Sequence, residues 1–342
     1  MTATLKDIAE KIGRSVTTVS RALNDYEDVS PKTRERVKQI AAEMGYQPNI
    51  YAQRLQKRRT DTIGFIIPTF GPRFSDPFFS EFLAGIGNMA SSLGYDLLVS
   101  TQAPGNGEMH TYRQMVTRHR VDGFICIRTR RDDERVNYLI ETEFPFVAFG
   151  RVDTHDNYAY VDVDGVCGMG LVVEHLVSLG HKRIAAIFPD LNYRFSKERL
   201  QGLQERLQQF GLELLADYIR ISDLTQNGGY QQAKELLTLP NPPTAIAACN
   251  DLMAFGAISA AQDLGLVVGK DVAITGFDDT PLAEHFHPPL TTVHQPVYQI
   301  GSMVCEILIE RIQNGTQDIK QVMIQPELMI RRSCGESNEQ HN

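Results

Sequence analysis

A short stretch near the amino terminus combines hydroxyl side chains with one arginine. Thr17, Ser20 and Arg21 alternate there with apolar residues in a pattern that places them on the outside of a helix. A helix fits the major groove of DNA, and hydroxyl groups and an arginine can reach base edges and phosphates. The stretch therefore predicts DNA contacts, although a small helical bundle without a ligand would have the same pattern.

Three helices are predicted to position these side chains. Apolar residues recur at helical spacing from Leu5 to Ile12, and Thr4 is a suitable N-cap. A glycine then permits a tight turn before a second helix, which Ser15 can cap. Ser30, followed by proline, marks the start of a third helix. Three short helices with a glycine turn between the first two are typical of a helix-turn-helix.

The charge distribution agrees with nucleic-acid binding by this end of the chain. Residues 1–60 contain twelve Lys and Arg against seven Asp and Glu, whereas the 342-residue chain has a net charge of −8. A basic head on an acidic body is the pattern of a protein that presents one end to a polyanion. A solvated basic surface without a partner would give the same charges.

The rest of the chain alternates short apolar strands with helices. This alternation predicts parallel sheets covered on both faces, in two similar lobes that divide near residue 161. Ligands of such sheets bind at the carboxyl ends of the strands. Polar residues follow predicted strands at Arg151, Asn250 and Asp278, and each could also be a turn residue or a surface charge.

The composition excludes several classes of protein. No apolar run reaches the ~18–20 residues of a membrane span, and the amino terminus has no secretory signal, which indicates a cytoplasmic protein. The sequence contains no C-x-x-C pair and no nucleophile, metalloprotease or phosphate-loop motif, so we expect no catalysis, cofactor or metal. The five cysteines are interpreted as buried apolar residues: Cys126, Cys167, Cys249, Cys305 and Cys334.

Several sequence segments resemble those of a known protein family. The segment from Leu5 to Asp25, LKDIAEKIGRSVTTVSRALND, is similar to the head of the lactose-repressor (LacI/GalR) family. The segments NDLMAFGA, GFDDTP and PPLTTVHQP are similar to the effector-binding core of the same family. The resemblance implies an α/β protein with a three-helix helix-turn-helix head and a two-lobed, doubly wound core like periplasmic binding proteins.

The resemblance also implies domain boundaries. The helix-turn-helix domain is expected at 1–47 and a hinge helix or linker at 48–60. The amino-terminal lobe is expected to comprise 61–161 and 294–323, and the carboxyl-terminal lobe 162–293 and 324–334. A polar tail is expected at 335–342.

The resemblance assigns DNA contacts to the head and the hinge. In the family, the recognition helix reads bases, and paired hinge helices wedge an apolar side chain into the minor groove. The DNA-binding residues expected here are Thr4, Ser15, Val16, Thr17, Ser20, Arg21, Asn24, Ala52 and Leu55.

Effector contacts are assigned to the cleft between the lobes. Arginine donates to two oxygens in a fixed fork and a carboxylate accepts two O–H bonds, which suits vicinal hydroxyl groups. An aromatic residue would stack on a sugar ring or a base. The effector-binding residues expected here are Asp76, Phe78, Phe79, Arg151, Arg199, Asn250 and Asp278.

These features predict a transcriptional repressor that binds a near-palindromic double-stranded operator as a homodimer. Its DNA affinity would respond to a small molecule, for which the polar cleft residues favour a sugar over a purine. A purine-responsive repressor, a sugar-binding receptor without a DNA role and an enzyme on a doubly wound fold are the alternatives.

Overall fold

The computed structural model describes residues 3–46, 59–69, 76–315 and 319–335. The chain divides at Thr60 into two compact units, a head and a core. Each unit has its own hydrophobic cluster.

The head consists of three helices, as the sequence predicts. Thr4 caps the first helix in a capping box, and the backbone turns at Gly13, whose φ of 65° lies in the left-handed region. Ser15 and Ser30 cap the second and third helices by accepting backbone N–H groups. The helices are α1 (Leu5–Ile12), α2 (Val16–Leu23) and α3 (Pro31–Glu43).

The amino-terminal lobe of the core, here the N-lobe, is built on a parallel six-stranded sheet. Its strand order is β11-β5-β4-β3-β1-β2. Strand β1 is apolar and almost entirely buried, as expected for a parallel strand covered by helices on both faces. The strands are β1 (Thr62–Pro68), β2 (Asp96–Gln102), β3 (Gly123–Ile127), β4 (Phe146–Phe149), β5 (Tyr160–Val163) and β11 (Gln321–Ile324). The helices that flank this sheet are α4 (Pro77–Ser92), α5 (Asn106–Thr117), α6 (Glu134–Glu141) and α12 (Val297–Asn314).

The carboxyl-terminal lobe, here the C-lobe, repeats the plan with one antiparallel edge strand. Its order is β12-β10-β9-β8-β6-β7, in which β12 runs antiparallel to β10. The strands are β6 (Ile184–Phe188), β7 (Ile219–Ile221), β8 (Ala245–Ala248), β9 (Ala273–Asp278), β10 (Thr291–His294) and β12 (Glu327–Met329). The helices are α7 (Gly165–Ser178), α8 (Arg194–Gln209), α9 (Gln226–Leu237), α10 (Asp251–Asp263) and α11 (Pro281–His285). The two sheets confirm the doubly wound, two-lobed fold.

The strand bounds correct the expected division between the lobes. All of β5 pairs within the N-lobe sheet, so that lobe continues to Val163 rather than stopping at 161. His294 pairs with Asp278 in the C-lobe sheet, although 294 was assigned to the other lobe. Strand β11 keeps Ile324 in the N-lobe. The chain thus crosses between lobes only after a strand is complete, because a crossing inside a strand would break its hydrogen-bond ladder.

Candidate nucleic-acid interface and effector site

The start of α2 presents the residues that could read bases. Val16 is 43% exposed, which is unusual for an apolar side chain on a helix that otherwise buries its valine and alanine. Thr17 and Arg21 are also exposed and Ser20 is half-buried. An apolar contact and hydroxyl groups at the beginning of a recognition helix are suited to base edges in the major groove.

Three other predicted DNA-binding residues have structural contacts in the head. The Thr4 hydroxyl accepts the N–H of Asp7, and the Ser15 hydroxyl accepts the N–H of Thr18. The side-chain amide of Asn24 donates to the carbonyl oxygen of Ser20 at 2.8 Å. DNA contact by these residues stays a prediction. Ala52 and Leu55, the predicted hinge residues, lie outside the described residues.

Arg21 already has an intramolecular partner. Its Nη1 lies 2.6 Å from Oδ2 of Asp28, and its guanidinium lies over the ring of Tyr26 at 5.6 Å. Both charged side chains are about half exposed, so this pair contributes little to stability and can be exchanged for a phosphate or a base. Sequence reasoning missed Asp28 as the partner of this arginine.

Strand ends from both lobes line one cavity in the core. The empty space within it, open solvent included, is about 660 Å³. Its lining comprises Asp76, Phe78, Ile127, Arg128, Thr129, Phe149, Gly150, Asp162, Val163, Gly165, Phe195, Glu198, Arg199, Leu224, Asn250, Asp278 and Gln295.

Arg199 enters this cavity from α8. Its guanidinium carbon lies 3.5 Å from the centroid of the Phe277 ring, and Nη1 donates to the carbonyl oxygen of Cys249 at 2.5 Å. Nη1 is also 3.9 Å from Oδ1 of Asp278. Among the described residues the buried Nε has no hydrogen-bond partner. A buried donor without a partner is costly, so a ligand oxygen here would remove a penalty.

Asp278 lies at the end of β9 with a φ of 127°, a conformation rare for a residue with a side chain. Burial raises the pKa of this carboxyl well above its ordinary value, the charge of Arg199 opposes the rise, and the carboxylates of Asp251 and Asp76 add to it. Gln295 donates to Oδ1 of Asp278 at 2.6 Å. The buried Oε1 of Gln295 accepts no hydrogen bond within the described ranges.

Asn250 lines the cavity but has a structural role. Its Oδ1 accepts the N–H of Met253 at 3.0 Å and caps α10, and its Nδ2 donates to the carbonyl oxygen of Leu224 at 3.3 Å. The sequence left open a turn residue or a surface charge as alternatives, and the structure instead shows a helix cap at this position.

The N-lobe contributes Asp76 and Phe78. One oxygen of Asp76 accepts the N–H of Phe78 and caps α4, and the other accepts from Nη2 of Arg128 at 2.7 Å. Phe78 stacks on Phe149 with ring centroids 6.0 Å apart, and both rings line the cavity. Phe79 was predicted beside them, but its side chain is fully buried in the lobe and does not line the cavity, because the helix turns it towards the core.

The structure also corrects Arg151. Arg151 is not among the residues that line the cavity, whereas Phe149 and Gly150 before it are. Its Nε donates to Oδ2 of Asp162 at 2.8 Å and its Nη2 to Oε1 of Glu198 at 2.6 Å. Arg151 therefore connects the two lobes rather than facing the cavity.

Comparison with known proteins identifies the family. Residues 4–49 match the description "bacterial regulatory proteins, lacI family", and residues 173–334 match a periplasmic binding protein-like domain. The regulator CelR of Thermobifida fusca is 33% identical over 96% of this chain and 98% of its own length.

The chain belongs to the LacI family. It is therefore a DNA-binding regulator of transcription, as the resemblance predicted. The transcriptional repressor PurR of Haemophilus influenzae (strain ATCC 51907 / DSM 11121 / KW20 / Rd) is 31% identical over 97% of this chain and 98% of its own length.

Two solved structures of LacI-family regulators have the same fold. The lac repressor dimer bound to operator and an anti-inducer is 30% identical, covers 98% of this chain and 100% of its own, and has a TM-score of 0.84. The CelR–cellobiose complex is 32% identical, covers 97% and 99% of the two chains, and has a TM-score of 0.75.

Several residues that line the cavity of this LacI-family chain were not predicted from the sequence. Arg128 comes directly after the predicted strand that became β3, and Gln295 directly after β10. The rule that selected Asn250 and Asp278 would have found Arg128, but not Gln295, because β10 was not predicted as a strand. Phe195 and Glu198 lie on α8 on the same side as Arg199, and no strand-end rule selects residues inside a helix.

The described residues contain no group of three or more His, Cys, Asp or Glu that could hold a metal ion. Within the same residues, every helix is too short or too polar to cross a membrane.

Proposed function

We propose that this protein is a transcriptional repressor whose operator affinity is controlled by an uncharged sugar bound in the cavity between the lobes. The observation that carries the proposal is that Arg199 and Gln295 both lie against the Asp278 carboxyl in the cavity lining, and that among the described residues Nε of Arg199 and Oε1 of Gln295 have no hydrogen-bond partner. A hydroxyl group both donates and accepts, so a polyol satisfies both atoms at once.

The charges of the cavity favour a neutral ligand over an anion. Two arginines line it, Arg128 and Arg199, and each lies beside a carboxylate. Four carboxyl side chains line the same space: Asp76, Asp162, Glu198 and Asp278. Because these carboxyl groups outnumber the two arginines, a phosphorylated sugar would bind more weakly than the free sugar.

The aromatic rings of the cavity support a sugar and leave a purine as the second candidate. Phe78 and Phe149 from the N-lobe and Phe195 from the C-lobe line the site. Such rings can pack on the apolar face of a sugar or on a planar base. The cellobiose in the CelR complex supports the first occupant, and the similarity to PurR supports the second.

The protein is proposed to act as a homodimer without catalytic activity. A two-fold dimer reads two half-sites, so the operator is expected to be a near-palindrome. The lac repressor structure, a dimer on its operator, supports this arrangement. We propose that the sugar lowers DNA affinity. A ligand shifts an equilibrium only by its differential affinity for the two states, so on this proposal the sugar binds more tightly to the lobe arrangement that has the lower affinity for DNA.

A ligand screen followed by DNA binding tests the proposal. The melting temperature of the full chain is measured with glucose, ribose, cellobiose, maltose, sucrose, glucose 6-phosphate, hypoxanthine and guanine. A sugar present at 100-fold its Kd should add about 2.7 kcal/mol to the free energy of unfolding. The stabilising compound is then added to a gel-shift titration on a DNA site selected with the full chain.

We expect stabilisation by at least one neutral sugar, none by glucose 6-phosphate, and release of DNA with that sugar. Stabilisation by hypoxanthine alone would assign the protein to the purine-responsive alternative. Tighter DNA binding with the sugar would reverse the proposed direction of control. Equal affinity for the selected site and for random duplex would contradict the repressor function.

A further inference from the structure

The ion pair between Arg21 and Asp28 lies beside the residues of the head that could read bases. Nη1 of Arg21 is 2.6 Å from Oδ2 of Asp28, and both side chains are about half exposed. A pair exposed to this degree contributes little to stability. An acid beside an arginine that is expected to contact DNA also repels the phosphates. A role in sequence recognition therefore accounts for this pair better than a role in folding or in general DNA affinity.

The loop between α2 and α3 holds Asp28 in place. At its start, Nζ of Lys38 on α3 donates to both carboxylate oxygens of Asp25, at 2.6 and 2.8 Å. At its end, Val29 is 7% exposed and belongs to the hydrophobic cluster of the head. Asp28 directly precedes this buried residue. The loop therefore fixes the direction from which the Asp28 carboxylate approaches α2.

Tyr26 of the same loop contacts the face of the arginine. Cζ of Arg21 lies 5.6 Å from the centroid of the Tyr26 ring, within the ~6 Å of a cation–π contact. The N–H of Tyr26 donates to the carbonyl oxygen of Arg21 at 3.1 Å, which ties this part of the loop to the end of α2. Arg21 thus has an aromatic ring on its face and a carboxylate at one nitrogen, and both come from the loop.

The ion pair leaves one edge of the guanidinium for a base. It is made through Nη1, and within the described part of the head Nε and Nη2 have no bound acceptor. These two nitrogens form a fork of parallel donors, and such a fork binds O6 and N7 of guanine in the major groove. Guanine carries no net charge, so the Asp28 carboxylate does not repel it as it would repel a phosphate on the same fork.

We propose that Asp28 is a positioning residue for sequence recognition, which holds Arg21 so that Nε and Nη2 read a guanine of the operator and which disfavours contacts of Arg21 with phosphates. The pair on this account raises the ratio of specific to non-specific affinity while it lowers the affinity for DNA in general. This rests on the proposed function, because it names how one predicted DNA contact of the repressor selects its base.

Gel-shift titration of the full chain on defined duplexes tests this proposal. The duplexes are a site selected with the full chain, copies of it in which one G·C pair of each half-site is replaced by A·T, and a random duplex. Arg21→Met identifies the pair that Arg21 reads, because replacement of that pair no longer lowers the affinity of this variant. Asp28→Asn removes the charge of the positioning residue, and Asp28→Glu keeps it. Glu27→Gln is the matched control, because it removes one charge from the adjacent exposed position of the same loop.

We expect the wild type to prefer guanine at that pair by about tenfold or more in affinity. Asp28→Asn should lose most of this preference and keep the preferences at the other positions of the half-site. Asp28→Glu should retain part of it, and Glu27→Gln all of it. Affinity for the random duplex should rise in Asp28→Asn and in Glu27→Gln, since each removes a negative charge, and more in Asp28→Asn, where Arg21 is also released to the phosphates. A melting temperature within a few degrees of the wild type shows that each variant is folded.

Three results would overturn the proposal while the proposed function stands. They are a preference in Asp28→Asn within twofold of the wild type, an equal loss of preference in Glu27→Gln, and the absence of any G·C pair whose replacement depends on Arg21. Equal affinity of the wild type for the selected site and for the random duplex would instead contradict the repressor function itself.

Discussion

The two lobes are both built on a six-stranded sheet but differ in the groups that compensate their buried carboxylates, a cation in the N-lobe and neutral donors in the C-lobe. In the N-lobe, Glu108 and Asp133 are fully buried and both bind Arg135, which is 1% exposed. In the C-lobe, Asp251 is fully buried and accepts hydrogen bonds from neutral donors, the N–H and hydroxyl of Thr280 and the hydroxyl of Thr292.

The protonation of the two networks differs accordingly. Burial by itself would raise the pKa of Asp133, but the charge and hydrogen bonds of Arg135 and then the contacts of Arg130 outweigh it and hold this pKa below its ordinary value. Burial raises the pKa of Asp251 to about 6, although the threonine hydrogen bonds oppose it. A cation compensates a buried carboxylate more completely than neutral donors do.

Each network fixes the backbone of one site residue. Arg135 donates to the carbonyl oxygen of Arg128, and Asp251 accepts the N–H of Thr280, two residues after Asp278. Arg128 and Asp278 both have positive φ values. The comparison indicates that each lobe maintains an unfavourable backbone conformation at the cavity with a buried polar network, ionic in one lobe and neutral in the other.

Removal of the N-lobe cation should have the largest effect on stability. Arg135→Met removes the fully buried cation and leaves Glu108 and Asp133 with Arg130 as the charged partner that both retain. Breaking a buried ion pair costs about 3–5 kcal/mol. We expect the free energy of unfolding, measured by urea denaturation at neutral pH, to fall by that amount. Arg118→Met, at an exposed position of the same lobe, is the control and should change it little.

A decrease below about 1 kcal/mol for Arg135→Met would show that the ion pairs are not what holds the N-lobe network together. The comparison between an ionic lobe and a neutral lobe would then be wrong.

Removal of a single neutral donor in the C-lobe should cost less. The hydroxyl of Thr292 donates to Oδ1 of Asp251 at 2.5 Å. Because hydrogen bonds to charged groups contribute about 1.5–3 kcal/mol, we expect Thr292→Val to lower the free energy of unfolding by that amount. Thr275→Val is a matched control on the adjacent strand, where the equally buried hydroxyl makes no hydrogen bond among the described residues.

Thr275→Val should leave the free energy of unfolding unchanged or raise it, because valine replaces a buried hydroxyl that has no partner there. If the two valine variants lose equal stability, the loss comes from altered packing rather than from the bond to Asp251.

Much of the C-lobe site could be predicted from the sequence, because its polar residues directly follow apolar strands. Asn250 and Asp278 both line the cavity. The same rule could not distinguish a ligand contact from a helix cap, and Asn250 uses its amide as a cap.

The N-lobe site was harder to predict because its contacts join distant parts of the chain. Arg128 bonds to Asp76 and Arg135 bonds to Glu108, and neither spacing is a helical or strand repeat. The left-handed backbone at Arg128 has no local signal either, since the position lacks the glycine or asparagine that usually indicates it. In the head, by contrast, each capping residue lies within four residues of the backbone N–H that it accepts, and all three helices were predicted from the sequence.

The smallest expected effect, and the most specific to the comparison, is a pH dependence of opposite sign in the two lobes. In the folded protein Asp251 has a raised pKa, about 6 against an ordinary value of 3.8. Its contribution to stability is therefore complete below pH 4 and decreases as the pH rises to about 6. The pKa of Asp133 is lowered, so its contribution is complete above pH 4 and is lost on acidification below that.

Urea denaturation of the wild type, Asp251→Asn and Asp133→Asn between pH 3 and pH 7.5 tests this difference. The stability lost in Asp251→Asn relative to the wild type should become smaller as the pH rises from about 4 to about 6. The stability lost in Asp133→Asn should become smaller as the pH falls below about 4. Subtracting each variant from the wild type removes the titration of groups that do not interact with the substituted carboxyl, so the slopes report each carboxyl together with the groups coupled to it. Slopes of the same sign would mean that Arg135 does not determine the charge state of the N-lobe network.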